Sequence, residues 1–424
     1  MRSVLAMLVL VLVGCAKSQA PAAGSTLEQQ RDLALAVPAD DVELVKAAKA
    51  AREAPLADRW VALGQLWVRK ARATNDPGLY LSAQGAAKVA LSLQPNSSAA
   101  LGLEAVVSLN QHRFTEAREI AKQALALRAD DLLALAALAD ATLELGDIIA
   151  ATAAVQQMVD LKPNLPSYSR AAHLRWLRGD IAGAQALYRQ AIDAGRNPRD
   201  PEPQAWVAVQ SALVFFDAGD VDGADAGFDF ALSRVPSYPP ALVGKARVAL
   251  SRGRPELAVS SLERAVAASP LVESLVLLAH ARDAAGNRDG AKQAWVKAEA
   301  IGRASDPLAL ARGWAEAGTH TAEAVELLQH ERSLRAGWQV EGALAWALHR
   351  AGDDDAAMAA SQRALALGTP EVTLRFEHAA ILAARHERPD ARRELEALAP
   401  RVAGLSPPLQ PEAKQLLGEL MAAK

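Results

Sequence analysis

The stretch Leu132–Lys162, LLALAALADATLELGDIIAATAAVQQMVDLK, decides the fold. Leu135, Leu138, Ala139 and Thr142 fall at i, i+3, i+4 and i+7, which is one face of a helix. After Gly146-Asp147 the spacing restarts at Ala151, Val155 and Met158. Glycine suits the left-handed backbone that ends a helix, and an Asp behind it suits the cap of the next helix. The pattern therefore predicts two amphipathic helices folded back on each other at the glycine.

The same punctuation recurs through the chain. Turn triplets stand at Gly146, Gly179, Gly219, Gly253, Gly286, Gly318 and Gly352, with gaps of 33, 40, 34, 33, 32 and 34 residues. The long gap holds an insertion, Arg196–Glu202 (RNPRDPE), whose prolines and charges read as a surface loop. Five residues after six of these glycines comes an alanine: Ala151, Ala184, Ala224, Ala258, Ala291 and Ala357. In the Gly318 unit it slips by one, to Ala324. Pro95, Pro163, Pro236 and Pro270 close several units. A fixed period of this length is the mark of stacked repeats.

Composition agrees. Apolar residues make up 51 % of the 424, but aromatics only 4 %, so Ala, Leu and Val carry the hydrophobicity. These short side chains and strong helix formers suit close helix packing, and nothing reads as a strand. The net charge of −3, spread without long runs, gives no electrostatic case for nucleic acid.

The period resembles the tetratricopeptide repeat (TPR) family, a helix–turn–helix unit of 34 residues that stacks into a right-handed superhelix. The first unit carries the resemblance best: Trp60-x2-Leu63-Gly64-x2-Trp67, then Ala83, Ala87, Ala90 and Pro95. It departs from the family in having Trp67 where Tyr is usual, and in extra residues around Asn75-Asp76-Pro77. Later matches are partial, as at Ala224-x3-Phe228, Ala231 and Pro236. The expected fold class is an all-α, TPR-type helix-turn-helix solenoid. It has N-terminal capping helices over 27–59, about ten repeats over 60–400 and a C-terminal capping helix over 401–424, because the ends of such a stack need polar covers.

The chain opens MRSVLAMLVLVLVGCAKSQAPAAG, and Cys15 is its only cysteine. One thiol leaves no intrachain disulfide or multi-cysteine metal site. The apolar run Val4–Val13 is too short for a bilayer span of about 20 residues and suits a signal-peptide core. Leu12-Val13-Gly14-Cys15 resembles the lipobox of bacterial lipoprotein signal peptides. That resemblance implies a signal peptide over 1–14, a lipidated Cys15 and a flexible tether through residue 26. Ala16-Lys17 behind the cysteine lacks the aspartate associated with inner-membrane retention in enteric bacteria. The resemblance thus implies an outer-membrane lipoprotein facing the periplasm of the cell envelope.

No HExxH, Walker loop, dinucleotide fingerprint, CxxCH or GxSxG is present. No catalytic residue, metal ligand or cofactor is expected. Arg178-Gly179-Asp180 spells an adhesion tripeptide but stands where neighbouring units have LGD and AGD, so it reads as a turn. The class that follows is a scaffold for a protein or peptide partner, with the membrane reached through the lipid. The competing class is an enzyme or its non-catalytic subunit, which a repeat-independent domain would mark.

In the TPR family, the first helices of the pairs line a concave wall that commonly holds a partner segment. Carried onto this chain, the inward positions include Asp140, Glu144, His173, Trp176, Trp206, Phe216 and Arg247, and further on His280, Asp283, Trp346, His349 and Arg350. Trp176, Trp206 and Phe216 stand out, because large aromatics dominate binding hot spots. Alternatively these rings fill gaps between helices. Trp60, Trp67 and Trp295 fall at packing positions.

Overall fold

The computed structural model describes residues 25–197 and 200–422, and among them there is no strand. Two helices lead in, α1 (Leu27–Leu35) and α2 (Val42–Glu53). Antiparallel pairs follow: α3 (Ala57–Thr74) with α4 (Tyr80–Leu93), α5 (Ser98–Asn110) with α6 (Phe114–Leu127), α7 (Leu132–Glu144) with α8 (Ile148–Leu161), α9 (Leu165–Leu177) with α10 (Ile181–Ala194), and α11 (Glu202–Asp217) with α12 (Val221–Arg234). The second half repeats the scheme: α13 (Pro239–Ser251) with α14 (Pro255–Ala268), α15 (Val272–Ala284) with α16 (Arg288–Ser305), α17 (Pro307–Ala317) with α18 (Thr321–Leu334), α19 (Trp338–Arg350) with α20 (Asp354–Ala364), and α21 (Val372–Ala384) with α22 (Arg388–Leu398). Helix α23 (Gln410–Ala422) ends the described chain.

The glycine-centred turns have one construction. All seven glycines are left-handed, with φ between 67° and 85°. At Gly146 the Asp147 N–H donates back to the Thr142 carbonyl at 2.8 Å, closing the last turn of α7. The Asp147 carboxylate then accepts from Ala150 N–H at 3.0 Å and caps α8. Asp180, Asp220, Asn287 and Asp353 do the same for α10, α12, α16 and α20. Two further turns lack glycine: His112 (φ 60°) and His386 (φ 64°) occupy the left-handed position one period before Gly146 and one after Gly352. The slip after Gly318 also has a cause. His320 is left-handed (φ 47°) and adds a residue before α18 starts. The alanines at the crossings, including Ala151, Ala184, Ala224 and Ala324, are buried where the paired backbones approach most closely.

Successive pairs stack through their first helices, as α3 on α5, α5 on α7, α15 on α17 and α17 on α19. That places the first helices on the inside of the curve. Trp60 and Trp67 are core, and the Trp67 indole N–H donates to the Ala34 carbonyl at 2.9 Å, which docks α1 on the first pair.

The superhelix winds tightly enough for one coil to rest on the next. Ser269 Oγ donates to the Asn75 carbonyl at 2.5 Å across 194 residues. Arg335 pairs with Glu144 at 2.9 Å across 191, and Arg401 reaches Asp217 at 3.0 Å across 184. Gly146 faces the Ala336 carbonyl so closely that a Cβ there would lie 3.0 Å from its oxygen. The turns of one coil thus seat on the loops that enter first helices of the next.

The expected helix over 401–424 begins only at Gln410. Residues 399–409 form two 3₁₀ turns, Ala399–Gly404 and Pro407–Leu409, joined by extended backbone at Leu405. Pro400, Pro407 and Pro408 lack the N–H groups that an α-helix would need there. This strap crosses the inner wall and touches α11, α13, α17 and α21.

Candidate functional site

The inner wall is the surface to which the TPR resemblance points for binding, and most of the residues expected to line it are already engaged. Asp140 accepts from Arg170 in a two-pronged ion pair, 2.8 and 2.5 Å. Glu144 is held by Arg335, itself only 7 % exposed, which also pairs with Glu331 at 3.1 Å. Arg247 pairs with Glu273 at 2.8 Å, and Arg350 with Glu412 of α23 at 2.6 Å.

The aromatic residues divide sharply. Trp176 is 8 % exposed, stacked on His173 (ring centroids 5.5 Å) and met edge-on by Trp338 of the next coil at 5.6 Å. Trp346 has no exposed surface and packs among His349, Phe376 and the Arg350 guanidinium. Phe216 is buried where the strap passes, with Gly404 against its carbonyl oxygen. Trp176, Phe216 and Trp346 are therefore packing residues and not an open wall, because the neighbouring coil covers Trp176, the strap covers Phe216, and α21 with the Arg350 side chain covers Trp346. Trp206 alone of the large expected rings is open, at 41 % exposure.

His173 is held neutral. Burial pushes its imidazole down to about 4, against the opposing pull of Asp140. His280 is likewise lowered by burial, with Glu316 and Asp283 opposing. It meets Trp295 edge-on at 5.5 Å.

A buried charged network not expected from the motifs lies beneath the strap. Arg312 pairs with Glu316 and Glu377, both at 3.0 Å. Asp217 accepts from Arg401 and from the Val372 N–H. Burial, reinforced by Glu371, pushes the Asp217 carboxyl up to about 7, while Arg401 and the Val372 N–H pull the other way. The available signal was the repeat register. Arg312 stands six residues before Gly318, as Asp140, His173, Arg247 and His280 stand before their own glycines.

What remains open is a cavity of about 740 Å³ between α15, α16 and the C-terminal end of α17. It is lined by His280, Asp283, Trp295, Glu299, Glu316 and His320, and closed on one side by Pro407, Pro408 and Pro411 of the C-terminal segment. Lys292 is the one lysine or arginine of its lining. Among the described residues no cluster of His, Cys, Asp and Glu could hold a metal ion, and no helix is long and apolar enough to cross a membrane. Cys15 and the Leu12–Cys15 stretch that resembles a lipobox lie outside the described residues.

Paired antiparallel helices, glycine turns at a period near 34 and first helices lining the inside define a TPR-type solenoid. No protein-family model matches the chain, and no curated protein matches it. Among solved structures, the human IFIT1 dimer with m7Gppp-AAAA is similar at 14 % identity and a TM-score of 0.50, covering 77 % of this chain and 76 % of that one. PilW, a widely conserved type IV pilus biogenesis factor, is similar at 18 % identity and a TM-score of 0.41, covering 50 % of this chain and 96 % of that one. A tetratricopeptide repeat protein from Parabacteroides merdae is similar at 18 % identity and a TM-score of 0.40, covering 63 % of this chain and 98 % of that one.

Proposed function

We propose that this chain is a docking scaffold of a bacterial cell envelope, anchored by lipid at Cys15 to the outer membrane and facing the periplasm. The observation that carries the reading is that helix pairs, their end helices and the strap account for the described residues, leaving no separate catalytic module among them. Action through surface is what such an architecture offers. The lipobox supplies the location: acyl chains contribute about 0.8 kcal/mol per buried methylene, so two or more make a durable anchor. Partner capture falls to the parts of the inner wall that the chain does not itself occupy, which are Trp206 and the cavity around Asp283 and Trp295. Assembly of an outer-membrane channel or pilus, control of envelope hydrolases and polysaccharide export are the tasks such a scaffold would serve.

Two measurements test this. Cys15→Ser should move the protein from the membrane to the soluble fraction and abolish incorporation of labelled lipid; unchanged partitioning refutes the anchor. Crosslinking pull-down from the native envelope should recover a protein partner. Trp206→Ala with Asp283→Ala should reduce that recovery while leaving helical circular dichroism intact. Recovery of nucleic acid instead would replace the reading.

A further inference from the structure

We infer that residues 399–409 are a displaceable occupant of the inner wall, and that the wall beneath them takes a proline- and leucine-rich partner segment carrying an arginine. The inference rests on the scaffold reading and names the chemistry of its partner.

The strap behaves as a bound peptide does. Leu405 and Leu409 are fully buried, and Arg401 is aimed into a ready-made acceptor set. Its guanidinium donates to the Asp217 carbonyl at 3.1 and 2.9 Å, to the Asp217 carboxylate at 3.0 Å and to the Pro370 carbonyl. Ser406 Oγ donates to Glu316 at 2.7 Å, and its N–H to Thr373 Oγ1 at 3.1 Å. Among the described residues these anchors are the only hydrogen bonds the strap makes to the wall helices and their loops. Its other backbone bonds are internal, Leu405 N–H to Val402 and Leu409 N–H to Ser406, or come from the Gln410 amide at the start of α23, which donates to the Ala403 and Leu405 carbonyls at 3.3 and 3.2 Å. No backbone ladder ties it down, and Pro400, Pro407 and Pro408 have no N–H to contribute. The segment is held to the wall by one guanidinium, one serine and two leucines, and three prolines restrict its backbone, which lowers the ordering cost of docking. The strap also leaves the wall incompletely filled. The 740 Å³ cavity opens directly beside Pro407, Pro408 and Pro411, so an incoming segment has a place to begin exchange.

Two experiments on the full chain decide it. In hydrogen exchange with mass-spectrometric readout, amides of residues 402–406 should exchange at least a hundredfold faster than those of α21. Equal protection would show a strap released only by global unfolding and would overturn the inference. In fluorescence anisotropy, a labelled peptide spanning Leu398–Glu412 should bind Arg401→Ala/Leu405→Ala protein at least tenfold tighter than wild type, whose own strap competes. A scrambled peptide should bind neither. Ser406→Ala, a milder lesion, should give an intermediate affinity and covers the case in which the double variant loses its helical signal. No difference between Ser406→Ala and wild type would overturn it. None of these readouts depends on the envelope or on Cys15, so they separate this inference from the scaffold reading.

Discussion

His386 sits exposed at φ 64°, a backbone conformation that costs a residue with a Cβ about 1–2 kcal/mol, while the same position in seven other units is glycine. His386→Gly should therefore raise the melting temperature, and Gly253→Ala, in open space at φ 67°, should lower it by a similar increment. Both are read by thermal unfolding followed by circular dichroism. The tryptophans make a sharper pair. Trp176→Ala removes a ring clamped between two coils and should cost about 3–5 kcal/mol, whereas Trp206→Ala, on an exposed ring, should cost less than about 1 kcal/mol. Denaturant melts of the two variants separate packing from surface. His173 gives a pH signature. Its folded-state value near 4 is depressed, so its contribution is present above the usual imidazole value and is lost as pH falls from about 6.5 toward 4. Its ring protons should not titrate between pH 8 and 5.5 by NMR.

Between elements, the contacts that matter join helices far apart in sequence. Arg335 is held by Glu331 within α18 and by Glu144 at the end of α7, and lies 5.1 Å from the centre of the Phe114 ring. Arg335→Ala strands two carboxylates in a mostly buried site and should destabilise by about 3–5 kcal/mol. Asp217 titrates in the opposite sense to His173. Its value is raised above that of an unfolded carboxyl, so the stabilisation is fully present below about pH 4 and is lost as pH rises through about 7. The melting temperature should be lower at pH 8 than at pH 6. Asp217→Asn should flatten that difference in melting temperature, and an unchanged slope would mean that Glu371 or another group carries it.

At the scale of the whole molecule, a linear stack unfolds as a chain of neighbours, and its end repeats fray independently. Here Asn75 touches Ser269, Glu144 touches Arg335 and Asp217 touches Arg401, so early and late units are tied directly. Unfolding should consequently be a single transition by circular dichroism and tryptophan fluorescence together. Loosening the coil contact with Arg335→Ala should separate the two probes.

The helix pairs, their turns and the all-α class were legible in residues alone, because a left-handed glycine, an Asp cap and an i, i+3, i+4 stripe each express local backbone physics. Even two units without a turn glycine kept the phase, with His112 and His386 accepting the strain. Which inward residues are free to bind was not legible. Asp140, Glu144, Trp176, Phe216, Trp346 and Arg350 occupy the register positions that sequence assigns to the groove, yet each is consumed by a contact with another helix, a distant coil or the C-terminal segment. A repeat period sets the geometry of one unit on the next. Small rotations per unit, summed over many repeats, decide where the second coil lands, and only the tertiary structure contains that sum.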